Sequence, residues 1–414
     1  MSDTLIARPD YLQTLEQAFH TPDIKVLTGV RHCGKSSILQ MLVKQLMNQG
    51  IDRKSIFFKR LDAFDTPLDY DAQNLYDDLA HAMAASDQRK WFHVFLDEIQ
   101  TVNGWEKVVQ RLRTRERTDV YITGSNAKVL SGELATLLTG RYREIPVFPL
   151  SFTEYRDFIR HRPSTHTSPE PTLADYLRYG GMPGIFALNS MNESEVRSTL
   201  SSIYESILFS DVASRLELRS TPALERVARF VFATSGNLFS LRNVVNSLRS
   251  SGVALNFRTV DALIRGLAES FIITEVQQEG IQGKDILRPQ RKYYPVDTGL
   301  KSLASGFGTT DIGSRLEGAV CIELMRRGYD VHIGTLPRSE IDFIATRGSE
   351  RMYLQVTDSM IDEHVRQREL SPLESLTDAY PRIVLTADPL MTGTTTDGIR
   401  IINVEQWLQE ASDR

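Results

Sequence analysis

One stretch decides the fold of the N-terminal third: Gly29-Val30-Arg31-His32-Cys33-Gly34-Lys35-Ser36 matches the pattern GxxxxGK(S/T) at every fixed position. It follows the apolar run 24–28, which is predicted as a strand, and it opens a helical pattern over residues 36–47. In that setting the glycines let backbone N–H groups turn towards phosphate oxygens, and the helix N-terminus adds the positive end of its dipole. We therefore predict a phosphate-binding loop on an α/β fold.

Two side chains of this loop are predicted to have specific roles towards ATP and Mg²⁺. We expect Lys35 to reach the β- and γ-phosphates, and the Ser36 hydroxyl to ligate Mg²⁺. The backbone from Gly29 through Ser37 is expected to line the phosphates. The alternative is a chance glycine-rich turn, and the strand before it and the helix after it weigh against that alternative.

Four further apolar runs are predicted as strands, at residues 55–59, 91–96, 120–123 and 144–147. They alternate with helical patterns, which is typical of a doubly wound parallel sheet covered on both faces. We assign residues 1–150 to this ATPase domain.

An acidic pair, Asp97-Glu98, follows the second of these runs. The carboxyl end of a parallel strand meets the phosphate loop at the same edge of the sheet. We therefore expect Asp97 to hold Mg²⁺ through water and Glu98 to orient and polarise an attacking water. A solvated strand end is the alternative, and the phosphate loop about 60 residues upstream disfavours it.

Polar residues also follow the third run, as Thr123-Gly124-Ser125-Asn126, and arginines precede the fourth. Ser125 could sense the γ-phosphate, and an ordinary turn explains the segment equally well. Arg141 or Arg143 could act as an arginine finger, in the same subunit or from a neighbour. Isolated surface arginines are the alternative.

Composition excludes several classes of protein. The chain has 414 residues and a net charge of −5, so any nucleic-acid contact is expected to be a local patch. Its two cysteines, Cys33 and Cys321, have no disulfide or zinc spacing. We find no signal peptide and no apolar run of about 18 residues, and we expect a cytoplasmic protein of two to three domains.

The rest of the chain divides into three segments by pattern. Residues 151–221 are helical, contain Gly180-Gly181-Met182-Pro183-Gly184, and are predicted as a lid or linker with a hinge. Residues 222–300 show three short helices followed by a hairpin, which is typical of a winged helix. Residues 301–414 are predicted as a smaller α/β domain.

These motifs resemble those of a family of AAA+-like bacterial and archaeal P-loop ATPases, over nearly the full chain. The resemblance rests on Gly29-Val30-Arg31, Asp97-Glu98-Ile99-Gln100, Gly104-Trp105-Glu106, Ile122-Thr123-Gly124-Ser125, Gly140-Arg141, Pro149-Leu150-Ser151-Phe152-Thr153-Glu154, Gly180-Gly181-Met182-Pro183, Tyr294-Pro295-Val296-Asp297-Thr298-Gly299-Leu300 and Leu316-Glu317-Gly318-Ala319-Val320. It implies an ATPase core, a winged helix, and a C-terminal domain similar to the restriction-endonuclease-like, PD-(D/E)xK, fold. It also supports Ser125 as the sensor and Arg141 as the finger.

A nuclease of that fold needs an acid on a helix, an Asp at a strand end, and Glu-x-Lys on the next strand. Glu317 and Asp342 fit the first two places. Gln355 and Thr357 stand at the third, where Gln355 is a weaker ligand for a hard cation and Thr357 carries no positive charge. We therefore expect a degenerate site without nuclease activity, retained for nucleic-acid binding or as a scaffold.

The winged-helix segment is the second route to DNA. Residues 222–300 contain ten Lys/Arg and seven Asp/Glu, a local charge of +3. Such an excess suits phosphate contacts. The candidate contacts are Arg258, Arg265, Arg291 and Lys292. Packing as a lid or docking of a protein is the alternative for a winged helix.

Together the patterns predict an ATP-driven switch. Mg²⁺-dependent hydrolysis would move the winged-helix and nuclease-like regions, with DNA as the favoured target. The alternative is a signalling or scaffold ATPase whose C-terminal domains bind a protein. A nuclease licensed by ATP is a third candidate, which Gln355 and Thr357 disfavour.

Overall fold

The computed structural model describes residues 5–125, 127, 141–161, 170–188, 190–218, 221–253, 255–280, 290–308, 311–337 and 339–410. The chain divides into two compact units at Val147 and Phe148, with residues 269–271 grouped with the first unit. None of the helices in these ranges has both the length and the apolar character needed to cross a bilayer.

The N-terminal unit is built on five parallel strands. They are β1 (Ile24–Thr28), β2 (Ile56–Arg60), β3 (Phe92–Asp97), β4 (Thr118–Gly124) and β5 (Tyr142–Pro146), in the order β2-β3-β4-β1-β5. The helices in the described part of this unit are α1 (Pro9–Gln17), α2 (Lys35–Asn48), α3 (Ala72–Ala84) and α4 (Trp105–Arg113). The predicted parallel α/β sheet is confirmed.

Burial explains why short apolar runs become the central strands here. Every residue of β1 and of β3 is buried, as expected for parallel strands covered on both faces. Helix α3 begins at a capping box, in which Asp71 and Asn74 satisfy each other's backbone N–H groups. The carboxyl ends of β1, β3 and β4 therefore meet at one sheet edge, where the predicted phosphate site lies.

The C-terminal unit begins with helices. They are α5 (Phe152–Arg160), α6 (Leu173–Tyr179), α7 (Glu193–Ser206), α8 (Pro222–Ala233), α9 (Leu241–Ser250), α10 (Phe257–Glu269) and α11 (Thr298–Ser305). A π-helical turn, Ile207–Ala213, continues α7. Helices α5 and α6 both start at capping boxes, with Ser151 paired to Glu154 and Thr172 paired to Asp175.

The same unit contains an eight-stranded mixed sheet. Its strands are β6 (Ile273–Gly280), β7 (Arg291–Pro295), β8 (Asp330–Thr335), β9 (Glu340–Arg347), β10 (Glu350–Thr357), β11 (Arg382–Thr386), β12 (Gly393–Thr394) and β13 (Arg400–Asn403), in the order β12-β13-β11-β10-β9-β8-β6-β7. Helices α12 (Ile312–Arg326), α13 (Glu363–Glu374) and α14 (Val404–Gln409) accompany it. Strand β6 pairs antiparallel with β7 and parallel with β8, so the hairpin predicted for a winged helix is continuous with the C-terminal strands.

The glycine pair predicted as a hinge is tightly packed. Gly181 N–H donates to Asp297 Oδ2 at 2.6 Å, and the same carboxylate accepts from Leu300 N–H at the start of α11. A Cβ on Gly180 would lie 2.2 Å from Asp297 Oδ1, and a Cβ on Gly299 would lie 2.1 Å from the carbonyl oxygen of Tyr179. Close approach of two chain segments therefore requires these glycines, and the hinge at this segment stays a prediction.

Candidate functional site

The predicted phosphate loop connects β1 to α2 and its shape depends on two glycines. Gly29 has φ +143°, and a Cβ there would lie 2.1 Å from the carbonyl oxygen of Val147. Gly34 has φ +103° and forms the N-cap of α2. A side chain at either position would strain the backbone, so the loop needs glycine at both.

Lys35 lies at the centre of this loop. Its side chain is buried, and Nζ donates to the carbonyl oxygens of Gly29 at 2.9 Å and Val30 at 3.0 Å. Arg8 supports the loop from outside, because its Nη1 donates to the Cys33 carbonyl oxygen at 3.0 Å. The sequence carried no sign of this role for Arg8, since the contact spans 25 residues.

The other loop residues surround the lysine. Cys33 is fully buried, Arg31, Ser36 and Ser37 are half-buried, and His32 is exposed with φ +66°. The loop backbone therefore surrounds the buried Lys35 ammonium.

Ser36 and Asp97, predicted as the magnesium residues, lie close to each other. Thr123 Oγ1 donates to Asp97 Oδ1 at 2.6 Å. Burial raises the pKa of Asp97; the hydrogen bond from Thr123 and the nearby Ser36 hydroxyl oppose that shift, and the nearby Glu98 carboxylate adds to it.

This pair fits a divalent cation. Asp97 is fully buried, yet its Oδ2 accepts no hydrogen bond from the described residues, and Arg60 Nε lies 3.7 Å away. A hydroxyl and a carboxylate are hard oxygen donors, and Mg²⁺ typically takes one or two such protein ligands with phosphate and water. Ser36 and Asp97 are therefore the residues that would hold Mg²⁺.

Glu98 is held in a defined position beside this pair. Its backbone is left-handed, with φ +55°, and its N–H donates to Thr123 Oγ1 at 2.8 Å. Gln100 Nε2 hydrogen-bonds Glu98 Oε2 and also lies 3.3 Å from Ser125 Oγ. Thr123 and Gln100 thus join the three predicted site residues Asp97, Glu98 and Ser125, and neither was assigned a role from sequence.

The predicted arginine fingers are not brought to this site. Arg141 and Arg143 are exposed at the start of β5, where Ile24 pairs with Tyr142. The phosphate loop follows the opposite end of β1, about 13 Å away for five residues of strand. Asn126 and Gly140 lie outside the described residues.

In the C-terminal unit, two of the predicted nuclease-like residues, Glu317 and Asp342, lie in a charged cluster with Lys292 and Glu340. Lys292 Nζ lies 2.5 Å from Glu340 Oε1 and 3.3 Å from Glu317 Oε1, which also accepts from Tyr294 at 2.7 Å. Asp342 interacts with the same charges: burial and Glu317 raise its pKa, while Lys292 lowers it. Lys292 therefore supplies the positive charge of this cluster.

Gln355 and Thr357 are turned to other partners. Gln355 Oε1 accepts from Asp342 N–H at 2.7 Å, and its Nε2 donates to Glu369 Oε2 at 2.9 Å. Thr357 Oγ1 donates to the Ser359 carbonyl oxygen at 3.0 Å. Gln355 therefore cross-links the cluster, whereas Thr357 caps a local turn.

The four candidate nucleic-acid contacts are not equivalent. Arg258 is exposed, Arg265 pairs with Asp261 at 3.0 Å, and Arg291 pairs with Glu275 at 2.9 Å. Lys292 is only 3% exposed. The expectation that Lys292 reaches a phosphate from the wing is wrong, because its side chain points into the carboxylate cluster.

Comparison with known proteins identifies the N-terminal unit. The family model described as an AAA domain matches residues 21–156, and one described as a domain of unknown function (DUF8612) matches residues 170–311. The solved structure of a Walker-type ATPase of Pyrococcus abyssi has a TM-score of 0.52 and 16% identity, over 73% of this chain and 97% of its own. That likeness shows a shared fold.

Two relatives match most of the chain. An uncharacterized protein of Methanocaldococcus jannaschii is 26% identical over 361 residues, which is 85% of this chain and 78% of the relative. An uncharacterized protein of Haemophilus influenzae is 37% identical over 409 residues, which is 99% of this chain and 100% of the relative. The chain therefore belongs to the same family as the Haemophilus influenzae protein and carries an AAA domain over residues 21–156.

Proposed function

We propose that the N-terminal unit hydrolyses ATP with Mg²⁺, and that Glu98 orients and polarises the attacking water. The observation that carries this proposal is the buried Asp97 carboxylate close to Ser36 of the phosphate loop, with the Glu98 carboxylate bound by Gln100 beside it. Mg²⁺, when bound, neutralises charge on the β- and γ-phosphates. A carboxylate fixed next to that position can accept a proton from water.

The loop residues act by binding and orientation. Lys35 would exchange its contacts with the Gly29 and Val30 carbonyl oxygens for phosphate oxygens, and backbone N–H groups of the loop would hold the remaining oxygens. Ser125, fully buried directly after β4, would sense the γ-phosphate. These interactions strengthen as charge develops in the transition state.

We further propose that Arg141 acts on the site of a neighbouring subunit. Its exposed position at the start of β5, on the sheet edge opposite the phosphate loop, disfavours action within its own subunit. An arginine that completes a neighbour's site makes hydrolysis depend on assembly. ATP turnover per chain should then rise with protein concentration, and Arg141→Ala should abolish that rise.

The target of the ATP-driven change is proposed to be DNA. The basic excess of residues 222–300 and the exposed Arg258 support it. Pairing of Arg265 and Arg291 with carboxylates weakens that support, and a protein partner is the competing candidate.

For residues 301–414 of the C-terminal unit we propose a nuclease-like domain that does not cleave nucleic acid. Lys292 is engaged by Glu317 and Glu340, and Gln355 is engaged by Asp342 and Glu369. These contacts pair the ammonium of Lys292 and the amide of Gln355 with groups of the same cluster. A cleavage assay with Mg²⁺ or Mn²⁺ should show no cutting by wild type; cutting that Asp342→Ala removes would refute the proposal.

The deciding experiment measures ATP turnover by wild type and Glu98→Gln, each with and without duplex DNA. We expect turnover by wild type, none by the variant, and nucleotide binding by both. A higher rate of ATP turnover with DNA would support DNA as the target. A rate that DNA does not change would favour a protein partner instead. Equal turnover by both proteins would exclude Glu98 as the residue that activates water.

A further inference from the structure

Gln100 makes an unusual pair of contacts in the ATPase site. Its Nε2 hydrogen-bonds the Glu98 carboxylate at Oε2 and lies 3.3 Å from Ser125 Oγ. The amide has two N–H bonds, so one nitrogen can serve both acceptors at once. Glu98 and Ser125 follow different strands, and Gln100 is therefore a direct physical link between them.

The orientation of this amide is dictated by its neighbours. Reversing it would place Oε1 against the carboxylate of Glu98, which would bring two acceptors together. In the observed orientation, Oε1 is buried and accepts no hydrogen bond from the described residues. An unsatisfied buried acceptor is unfavourable, so the contacts made by Nε2 must outweigh that cost.

The backbone around Gln100 also restricts where the amide can go. Gln100 lies in the short 3₁₀ turn Ile99–Thr101, which Glu98 caps with a left-handed backbone. Thr101 Oγ1 donates to the Glu98 carbonyl oxygen at 2.9 Å, and Glu98 N–H donates to Thr123. These hydrogen bonds hold the backbone of the turn in place. A shift of Ser125 Oγ would therefore be transmitted to the Glu98 carboxylate through the Gln100 side chain.

We propose that Gln100 is a positioning residue that holds the Glu98 carboxylate and couples its orientation to Ser125. The inference rests on the proposed roles of Glu98 in activating water and of Ser125 in sensing the γ-phosphate. Contact of Ser125 with the γ-phosphate moves the amide, and the amide carries the carboxylate with it. Water activation thereby depends on the presence of the γ-phosphate.

The test compares Gln100→Ala, Gln100→Glu, Ser125→Ala and the double variant Gln100→Ala/Ser125→Ala with wild type. Gln73→Ala is the matched control, because Gln73 is an exposed glutamine of the same unit. The measurements are the Kd for ATP, kcat, KM and the pH profile of kcat. Thermal unfolding identifies any variant that fails to fold.

We expect Gln100→Ala to lower kcat about ten- to a hundredfold, as for other losses of orientation, with the Kd for ATP within about twofold of wild type. Gln100→Glu keeps the shape of the side chain, removes both N–H donors and adds a carboxylate beside Glu98. It should lower kcat at least as much and move the acid limb of its pH profile to higher pH.

The double variant tests the link itself. If Gln100 and Ser125 act through one path, the double variant should lose no more activity than the worse single variant. Multiplicative losses would refute the coupling, and unchanged kcat in Gln100→Ala would refute the positioning role. Both results leave the proposed function intact if Glu98→Gln is inactive, whereas activity in Glu98→Gln would overturn the proposed function separately.

Discussion

Thr123 Oγ1 donates a 2.6 Å hydrogen bond to Asp97 Oδ1, and both side chains are fully buried. The same hydroxyl accepts the N–H of Glu98 at 2.8 Å. One threonine therefore orients the carboxylate proposed to hold Mg²⁺ and the backbone of the residue proposed to activate water. Since a hydroxyl both donates and accepts, no apolar residue of similar shape can replace it.

Replacing Thr123 by Val should impair ATP hydrolysis and stability. We expect a loss of about 1–3 kcal/mol in the free energy of unfolding, because a buried N–H and a buried carboxylate each lose a partner. Denaturant unfolding and ATP turnover measure the two effects. Thr123→Ser keeps the hydroxyl and should stay closer to wild type in both; equal defects in Ser and Val variants would contradict the hydrogen-bond explanation.

Replacing Lys292 by Met should destabilise the protein by about 3 kcal/mol or more at pH 7, because the partly buried carboxylates of Glu317, Glu340 and Asp342 lose their cation. The penalty should shrink as the pH falls, since burial and Glu317 already raise the pKa of Asp342. Urea unfolding at pH 7 and pH 5 measures it.

Arg258→Ala is the control for Lys292, since Arg258 is exposed and its loss should change stability little. The double variant Lys292→Met/Glu317→Gln should recover part of the lost stability by removing one uncompensated charge. No recovery would contradict the charge explanation for Lys292.

Gly180→Ala should be far more damaging than Gly252→Ala. Both glycines have positive φ, at +74° and +80°, so both variants incur backbone strain, and the strain at Gly180 is about 1–3 kcal/mol because its ψ of −172° places it in a region essentially restricted to glycine. Only at Gly180 would the added Cβ also meet the Asp297 carboxylate, at 2.2 Å, whereas Gly252 has open space around it. We expect at least about 2 kcal/mol of additional loss for Gly180→Ala in denaturant unfolding; similar losses would leave strain as the full explanation.

His93 should make the protein acid-sensitive. Burial lowers the pKa of His93 to about 4; Asp119 opposes the shift, and His20 and Lys25 add to it. The unfolded chain binds the proton at about pH 6.5, so the contribution of neutral His93 is present above that pH and is lost as the pH falls towards 4. Between pH 7 and pH 5, wild type should lose about 2 kcal/mol from this group.

The measurement for His93 is the free energy of unfolding as a function of pH. His93→Gln removes the titration, so its stability should fall less steeply between pH 7 and pH 5 than that of wild type. Parallel curves for the two proteins would assign the acid sensitivity to other groups.

Local sequence determined much of the N-terminal unit. The glycines of the phosphate loop, the strand before it and the helix after it are neighbours in the chain, and the apolar runs that became β1 and β3 are buried on both faces. Strand identity and the parallel arrangement follow from such runs, because only a sheet covered on both sides buries them. The AAA+-like fold was therefore predictable before any contact was known.

Tertiary structure alone decided the contacts between distant segments. Thr123 and Gln100 contact the predicted site residues because β3 and β4 are adjacent in the sheet. Arg141 is distant from the phosphate loop because it lies at the start of a strand parallel to β1, whereas the loop follows the end of β1. Lys292 was predicted to be exposed. It is buried because its side chain on β7 points towards the carboxylates of Glu317 on α12 and Glu340 on β9. Sequence patterns specify the spacing of apolar residues and their burial along one segment. The contacts between distant residues depend on which segments the fold places side by side.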